Sequence, residues 1–329
     1  MNLGGPDSLD AVQPFLFNLF SDPAIIRLPA PIRLPLAWVI ARRRAGIARE
    51  IYRRLGGASP LLANTEAQAR ALEATLGPDH RCFVAMRYWH PMSAETANEV
   101  ANWSPDEIVC LPLYPQFSTT TTASSLAAWR SAASRHRLDR ITRSICCYPC
   151  AEGFIKAAAK LAGPVLDRAS KSQKPPRLLM TAHGLPKRIV KAGDPYSGQV
   201  ELTAKAVVAE LNRSELDWKI CYQSRVGPLE WIGPSTDDEI RRAGIDGVPV
   251  VVVPISFVSE HSETLVELDL DYREVAERSG VPAYCRVPTV GVEPAFIQGL
   301  ALLVAKARAG QLVSCPSSHS CCALSGAAD

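Results

Sequence analysis

One histidine and a group of carboxylates follow two apolar segments that have the character of buried strands. His183 comes directly after the run Leu178-Leu179-Met180-Thr181-Ala182. The run 248–257, rich in valine, leads into Val258-Ser259-Glu260-His261-Ser262-Glu263. Ligands of open α/β sheets bind at the carboxyl ends of the parallel strands. We therefore expect imidazole and carboxylate groups to converge at one sheet edge, in a metal-handling or proton-transfer site.

His183 is the residue at this edge with the most versatile chemistry. A neutral imidazole accepts a proton near pH 7, and it is also a good ligand for transition metals. A strand-end histidine can instead do no more than cap the helix that follows. The sequence leaves proton transfer and metal ligation open as roles for His183.

Three carboxylates, Glu263, Glu267 and Asp271, recur at intervals of four residues. On a helix this spacing places them along one face, where each pair of like charges costs about 0.2–0.5 kcal/mol. A solvated acidic face is the simplest interpretation, but the interleaved leucines and valine leave little room for full exposure. We therefore predict a hydrated row of carboxylates that guides metal ions in or protons out. Glu260 and His261 are predicted to line the approach to this row or to support it.

The elements that position these residues alternate along the chain in the manner of βαβ units. Strands are expected at residues 81–88, 107–113, 141–148, 177–182, 217–223, 248–257 and 283–288. Helices are expected at residues 62–76, 93–102, 123–136, 153–168, 198–212, 235–243, 262–279 and 293–308. The pattern predicts two α/β domains, residues 1–150 and 151–309, followed by a cysteine-rich tail at 310–329.

The composition of the 329 residues is that of a globular protein, with 47% hydrophobic and 21% charged residues. A net charge of +3 is too small to indicate nucleic-acid binding. The chain has no apolar run of about 18 residues or more, the length that a membrane-spanning helix needs. The first residues lack the basic and apolar regions of a signal peptide, so we expect a cytoplasmic protein.

Several segments, in order along the chain, resemble the signature regions of the ferrochelatase family, whose members insert ferrous iron into a porphyrin to make haem. They are Asn2-Leu3-Gly4-Gly5-Pro6, 56–61, Met86-Arg87-Tyr88, 113–118, Thr181-Ala182-His183-Gly184-Leu185-Pro186, 193–196, 223–228 and 257–272. The resemblance covers about residues 1 to 309. It implies two similar Rossmann-like domains of the chelatase type, each a parallel sheet flanked by helices, around a porphyrin cleft. It also implies that His183 and Glu263 face each other across the porphyrin plane as the metal-binding pair.

The chain begins differently from members of this family. They start with an apolar strand before the Gly-Gly-Pro turn, whereas only three residues precede Gly4 here. Loss of a central strand would leave backbone groups of two neighbouring strands exposed. We therefore expect the natural start to lie upstream.

Porphyrin binding requires apolar walls for the macrocycle and cations for its propionates. Arg87 and Tyr88, at the end of a predicted strand, would supply a guanidinium and a ring. Trp231 would either form another wall of the pocket or lie in the core.

Hydroxyl groups offer a second way to hold a propionate. Ser118 and Thr119 precede the helix expected at 123–136, where free amides at a helix N-terminus attract anions. The alternative is that they only cap that helix. Ser59 is placed similarly in the segment Gly56-Gly57-Ala58-Ser59-Pro60, whose glycines allow a close backbone approach.

Residues 14–54 combine apolar clusters and prolines with arginines that crowd the second half. Much of this segment is expected to form helical core. Part of it is expected to form an exposed apolar lip through which a membrane-dissolved porphyrin enters, with arginines meeting phosphates of the inner membrane surface.

Six of the ten cysteines fall in two tight groups, namely Cys146, Cys147 and Cys150, and Cys315, Cys321 and Cys322. The three tail thiols with Cys147 would supply the four thiolates of a [2Fe-2S] cluster. Some ferrochelatases use three C-terminal cysteines and one from elsewhere, and this tail is similar. His319 could substitute for one thiol, and Cys146 or Cys150 could be the internal donor instead of Cys147. Zinc fits the same ligands. The last alternative is a tail with reactive thiols and no metal.

The chain is therefore predicted to be an enzyme that inserts Fe²⁺ into protoporphyrin IX to form protohaem. A cobalt or nickel chelatase for a related tetrapyrrole is the nearest alternative. A non-enzymatic protein that binds haem or an iron chelate is another, although such proteins are usually exported and this chain shows no export signal.

Overall fold

The computed structural model describes residues 1–213, 215–225, 227 and 229–311, and the chain divides into two compact units. Of the described residues, the first unit comprises 1–147 and 301–311, and the second comprises those from 148 to 300. Each unit contains a parallel sheet accompanied by helices, so the predicted α/β fold is confirmed.

The first unit is rich in helix and has a small sheet. Its helices are α1 (Val12–Phe20), α2 (Ala30–Arg54), α3 (Leu61–Leu76), α4 (Ser93–Trp103) and α5 (Thr122–Arg135). Its sheet consists of two parallel strands, β1 (Glu107–Cys110) and β2 (Ile141–Ser144).

The prediction of a strand at residues 81–88 is wrong. The segment forms only isolated parallel bridges at Met86, one of them with Asn2. Backbone hydrogen bonds join Asn2 and Leu3 to the last four residues of the segment. A strand requires a continuous ladder with a neighbour, and two residues provide too short a ladder. The apolar pattern of 81–88 carries no information on the partner with which the segment would pair.

The second unit carries the larger sheet. Its strands are β3 (Arg177–His183), β4 (Trp218–Gln223), β5 (Val250–Pro254) and β6 (Tyr284–Arg286), all parallel, in the order β4-β3-β5-β6. Its helices are α6 (Glu152–Ala169), α7 (Lys187–Lys191), α8 (Tyr196–Leu211), α9 (Thr236–Asp246) and α10 (Tyr272–Arg278), and α11 (Pro294–Arg308) begins in this unit. Helix α7 has no counterpart among the predicted helices, because five residues are too few to show helical periodicity.

The helix expected at 262–279 has two parts. Glu263–Asp271 is a π-helix, and it continues directly into α10. In a π-helix each amide donates to the carbonyl five residues earlier, and such turns are rare and frequent at functional sites. Alternation of apolar and charged residues does not distinguish this winding from an α-helix, so the sequence predicted a helix without its type.

Packing fixes the π-helix against the sheet. Strands β3 and β5 are buried on both faces, as their nearly continuous apolar runs predict. One core cluster brings Leu179 of β3 and Val252 of β5 together with Leu268 of the π-helix and Val275 of α10. The apolar side of the π-helix therefore lies on the sheet, and its carboxylates are held near the strand ends.

Two glycines allow a close approach where α6 begins. A Cβ atom added at Gly153 would lie 2.2 Å from the carbonyl oxygen of Ala295 and 2.8 Å from the Cα of Gly299. Backbone atoms of α11 cannot yield as a flexible side chain can. This contact therefore requires glycine at position 153.

Replacement of Gly153 by alanine should lower the free energy of unfolding by about 1–3 kcal/mol, because the added methyl overpacks the contact. Gly46 lies inside α2, and an added Cβ there would meet no atom within 4 Å beyond its chain neighbours and its own helix. Gly46→Ala should stabilise the protein by about 0.5–1 kcal/mol, since alanine is the better helix former. Denaturant unfolding of both variants measures the difference, and equal effects would contradict the packing described for α6.

Candidate active site

The carboxyl edge of the larger sheet brings His183 between residues that follow its two neighbouring strands. His183 ends the internal strand β3 and is paired in register with Gln223, which ends β4. Glu263 comes after β5, the strand on the other side of β3. Chain segments 40 to 80 residues apart therefore meet at one edge, where open α/β sheets bind their ligands.

His183 and Glu263 are in direct contact. The Nδ1 atom of His183 lies 2.8 Å from Oε2 of Glu263. The Ser224 hydroxyl oxygen lies 3.2 Å from the same carboxylate oxygen. Side-chain exposure is 39% for His183 and 25% for Glu263, so both can still meet a ligand. The family resemblance implies that the two residues face each other across the porphyrin plane, but the structure leaves no space for a macrocycle between them.

The pair holds opposite charges. Burial by itself lowers the pKa of His183, but the charge and hydrogen bond of Glu263 outweigh it and leave this pKa above the usual histidine value. Burial raises the pKa of Glu263, but the charge and hydrogen bond of His183 bring it well below the usual glutamate range. Glu263 is therefore a carboxylate at neutral pH, and His183 readily holds a proton.

Glu267 lies one step further along the same side of the π-helix, in different surroundings. Ser224 donates to it twice, from its amide at 2.8 Å and from its hydroxyl at 2.5 Å. The side-chain amide of Gln223 donates to it at 3.0 Å, and the hydroxyl of Tyr272 donates at 3.2 Å. Burial and the negative charge of Glu263 nevertheless raise the pKa of Glu267. Of the two glutamates, Glu267 is thus the better proton acceptor.

The predicted row of carboxylates runs from the interior to solvent. Glu263 and Glu267 are partly buried, and Asp271 at the end of the π-helix is exposed. The three side chains therefore offer acceptor sites at decreasing depth. This arrangement is compatible with passage of either cations or protons.

Glu260 and His261 have other contacts. Glu260 accepts from Arg286 at 2.8 Å and from the amide of Thr289 at 2.9 Å. Burial lowers the pKa of His261, whose Nδ1 is 3.2 Å from the carbonyl oxygen of Ser259. His261 Nε2 is 3.9 Å from Glu263 Oε2, too far for a hydrogen bond. Both residues thus support the turn before the π-helix, and His261 stands just beyond contact with the central pair.

Gln223 and Ser224 are the site residues for which the sequence predicted no role. Gln223 is fully buried, accepts from the Thr181 hydroxyl at 3.0 Å and donates to Glu267. Ser224 has a left-handed backbone with φ of 60°, which turns its amide and hydroxyl towards the two glutamates. Both residues belong to a segment that carries the family resemblance, but neither residue type indicates chemistry alone.

Trp231 lies beside the segment that contains His183. An added Cβ at Gly184 would be 3.3 Å from Cε3 of Trp231 and 2.9 Å from the carbonyl oxygen of Gln223. Glycine therefore allows the indole to pack against the residue next to His183. Trp231 is half-buried, so part of the ring remains accessible.

Arg87 and Tyr88 in the first unit converge on Asp22, a buried acid that the sequence did not single out. An Arg87 terminal nitrogen and the Tyr88 hydroxyl each donate to Asp22 Oδ2 at 2.7 Å. The Ser124 hydroxyl donates to the same oxygen and accepts from Arg87 Nε at 2.6 Å. Tyr88 is completely buried, so its ring offers no face to a macrocycle. Arg87 keeps 21% side-chain exposure.

The hydroxyl groups expected to hold an anion lie around the starts of two helices. Ser118 is buried, and its hydroxyl is 2.9 Å from that of Thr120. Thr119 is half-buried before α5. The Ser59 hydroxyl accepts from the amide of Leu61 at 3.3 Å, at the start of α3. The Ser59 hydroxyl thus pairs with one of the amides at the first turn of α3.

Of the two cysteine groups, the one at 146–150 lies within the described residues. Cys146 and Cys147 are buried, and Cys150 is exposed. Cys315, Cys321 and Cys322, with His319, lie outside the described residues. Within residues 1–311 as described, no group of three or more His, Cys, Asp or Glu side chains is arranged to hold a metal ion.

No helix in the described part of the chain combines the length and apolar character needed to cross a membrane.

Residues 1–308 match the family called Ferrochelatase. A ferrochelatase of Caulobacter vibrioides is 55% identical over 308 residues, which cover 92% of this chain and 87% of the relative. A ferrochelatase of Phenylobacterium zucineum is 54% identical over 333 residues, which cover 98% and 96%. Among solved structures, one described as SirB from Bacillus subtilis with Fe3+ has a TM-score of 0.55 at 12% identity, covering 76% of this chain and 92% of that one. The last likeness concerns the fold alone.

The contact between His183 and Glu263 should make stability depend on pH. The pKa of His183 is raised in the folded state. Its contact therefore contributes in full to the free energy of unfolding below the pKa of the unfolded state, about 6.5, and this contribution is lost as pH rises through the folded-state pKa. Glu263, with a lowered folded pKa, contributes above about pH 4.3 and loses its contribution only in stronger acid. Both groups are charged between these limits.

Glu263→Gln should therefore lower the free energy of unfolding more at pH 6 than at pH 9. The difference should be about 1 kcal/mol or less, since water reaches the His183 side chain and screens the pair. Glu274→Gln is the control, because its exposed partner Arg278 is charged at both pH values. Denaturant titrations at the two pH values measure the effect, and a pH-independent loss in Glu263→Gln would refute the charged pair.

Proposed function

This chain belongs to the ferrochelatase family, and we propose that it inserts ferrous iron into protoporphyrin IX at the His183–Glu263 pair. Its function is that of a ferrochelatase, an enzyme whose product is protohaem. Iron and the porphyrin are both substrates. The observation that carries the site assignment is the 2.8 Å contact between imidazole and carboxylate at the edge of the larger sheet.

Metal insertion releases two protons, one from each of two pyrrole nitrogens, as Fe²⁺ takes their place. His183 accepts one of them after its own proton has left to solvent, and the adjacent Glu263 stabilises the imidazolium that forms again. Glu263 keeps its negative charge and thus also attracts the incoming cation. Different surroundings give two neighbouring carboxylates different roles.

Glu267 is the acceptor that we assign to the second proton. Its raised pKa and its position between Glu263 and exposed Asp271 support this role. Protons then leave, or iron approaches, along the side of the π-helix that carries the three carboxylates. Glu260 and His261 support the start of this path.

The exposure of each side chain guides our proposal for the porphyrin contacts. Trp231 packs beside Gly184 and is only half-buried, which supports our proposal that it covers a macrocycle near His183. Arg87 remains the proposed cation for a propionate, although Asp22 already neutralises part of its charge. Tyr88 would act through its hydrogen bond to Asp22 rather than through its ring. Hydroxyls of Ser59, Ser118 and Thr119 complete the proposed set.

We also propose that the first half of α2 contacts a lipid surface. Large apolar side chains are 38–58% exposed there, namely Ile32, Leu34, Leu36 and Trp38. Because they lie on both sides of the helix, packing against the protein cannot account for them. Exposed arginines follow in the second half of α2, at 42, 43, 53 and 54. Such a helix suits the boundary between lipid headgroups and acyl chains.

The [2Fe-2S] cluster remains a proposal, with Cys150 in place of Cys147 as the internal ligand. A donor that must meet thiolates of the tail has to be reached from outside the folded unit. Cys150 is exposed, whereas Cys147 is almost completely buried. If present, such a cluster would supply one-electron chemistry and a link between the tail and residue 150. Metal insertion as derived above uses neither.

Purified protein supplied anaerobically with Fe²⁺ and protoporphyrin should turn over well beyond one equivalent. His183→Ala should reduce kcat by about a hundredfold or more while the fold is kept, as expected for loss of a general base. Glu263→Gln should cost more activity than Asp271→Asn, because only Glu263 touches His183. Circular dichroism checks the fold of each variant. Near-normal turnover by folded His183→Ala would refute the assignment of His183 as the general base. Equal activity losses in Glu263→Gln and Asp271→Asn, or a larger loss in Asp271→Asn, would contradict the proposed path.

Protein purified anaerobically from iron-replete cells should be red-brown if the cluster is present. Its visible absorption should disappear in a Cys321→Ser, Cys322→Ser double variant and in Cys150→Ser, each of which removes thiolate ligands. Cys147→Ser is the matched control and should keep the colour. Loss of colour in Cys147→Ser alone would return the internal ligand to Cys147. Colourless, iron-free protein would refute the cluster and leave zinc or free thiols.

A further inference from the structure

The π-helix is anchored by an arginine that no part of the proposed reaction uses. Arg286 ends β6, and its side chain is only 10% exposed. Its Nε and one terminal nitrogen donate to the two oxygens of Asp269, both at 2.7 Å. The other terminal nitrogen donates to Glu260 at 2.8 Å. One guanidinium thus joins a carboxylate before the π-helix to a carboxylate within it.

The two carboxylates of the proposed reaction lie between these anchor points in the sequence. Glu263 and Glu267 both come after Glu260 and before Asp269. Residues two apart do not share a side of a helix, and accordingly Asp269 contacts Arg286 while Glu267 contacts Ser224. The same segment is therefore fastened on one side and presents its reactive groups on the other.

Neighbouring residues strengthen the fastening. Tyr284, also in β6, donates from its hydroxyl to the carbonyl oxygen of Leu268 at 2.7 Å. The amide of Thr289 donates to the Glu260 oxygen that Arg286 also contacts. Strand β6 and the loop after it thus hold the turn, the backbone and a side chain of the π-helix. Arg286 is the one charged group among these anchors.

Arg286 also gives some carboxylates of this segment a cationic partner that Glu263 and Glu267 do not share. Five acids occupy residues 260–271, and two of them, Glu260 and Asp269, form ion pairs with this guanidinium. A carboxylate that accepts charged hydrogen bonds in a partly buried pair is not free to bind a passing cation. Burial raises the pKa of Glu260, but Arg286 and further hydrogen bonds bring it below the usual range, so this carboxylate stays paired.

We propose that Arg286 is a positioning residue for the reaction, which holds Glu263 and Glu267 against His183 and Ser224 and withholds Glu260 and Asp269 from iron. This inference rests on the proposed function, since it presupposes that Glu263 and His183 handle the metal and the protons. Arg286 itself touches neither substrate. Its effect passes through the placement of the π-helix.

The test compares Arg286→Met, Arg286→Lys, Asp269→Asn and the double variant Arg286→Met, Asp269→Asn in anaerobic steady-state assays. Arg286→Met should lower kcat by about tenfold or more, the usual effect of losing a partner that orients a metal site. The KM for protoporphyrin should stay within about threefold, since uniform substrate binding is not involved. Arg286→Lys keeps the charge without the paired parallel bonds, so its kcat should be intermediate.

The double variant distinguishes positioning from general destabilisation. Arg286→Met and Asp269→Asn break the same contact, so together they should cost little more than Arg286→Met alone. Arg278→Met is the control, because this exposed arginine of α10 pairs with exposed Glu274, and its loss should leave kcat unchanged. Thermal unfolding and circular dichroism establish that each variant is folded at the assay temperature.

A folded Arg286→Met protein with wild-type kcat would overturn the inference, as would fully multiplicative losses in the double variant. If Arg286→Met does not fold, wild-type kcat in both Arg286→Lys and Asp269→Asn overturns it instead. His183→Ala is assayed in parallel. Inactive His183→Ala beside fully active Arg286→Met defeats only the positioning role, whereas active His183→Ala defeats the site on which that role depends.

Discussion

Negative charge crowded at a partly buried sheet edge is the constraint on which the rest of this site depends. Five carboxylates within residues 260–271 would repel one another and resist removal from water. Each is compensated differently. Glu263 contacts His183, Glu267 accepts hydrogen bonds from neutral donors, two acids share Arg286, and Asp271 is exposed. Because the compensating groups differ, the same functional group acquires different affinities for protons and cations along one helix.

Helix type and strand order together make this possible. The π-helix keeps its apolar side on the sheet through Leu268, and residues four apart, Glu263 and Glu267, both reach Ser224. The parallel order β4-β3-β5-β6 places His183 between the donors after β4 and the acids after β5. Strand β6 at the sheet edge then supplies the anchor from the far side. Every strand of the larger sheet thus contributes to the placement of one short helix.

Local patterns were sufficient to predict the strand that carries His183 and the helix that carries Glu263. Apolar runs mark buried parallel strands, and four-residue spacing marks a helical side, so both could be found without contacts. The winding of the π-helix, the hydrogen bonds of Gln223 and the pairing of Arg286 depend on residues tens of positions away. Arg87 shows the same limit in the first unit. Its residue type suggested an anion ligand, but its partner Asp22 lies 65 residues earlier and no periodicity links the two. The segment 81–88 failed as a strand for a related reason, since a ladder depends on its neighbour as much as on its own side chains.

Ser224 illustrates how narrowly geometry restricts the choice of an amino acid. Its backbone is left-handed, with φ of 60°, a conformation that costs most side chains about 1–2 kcal/mol and costs glycine almost nothing. Glycine lacks the hydroxyl with which Ser224 lies within hydrogen-bond distance of Glu263 and Glu267, and threonine adds a branch that resists this conformation. Conformational ease and hydrogen-bonding capacity thus favour different residues at one position. Any chelatase designed on this geometry would face the same compromise, and transfer of the histidine and glutamates alone would leave out the Ser224 contacts to both glutamates.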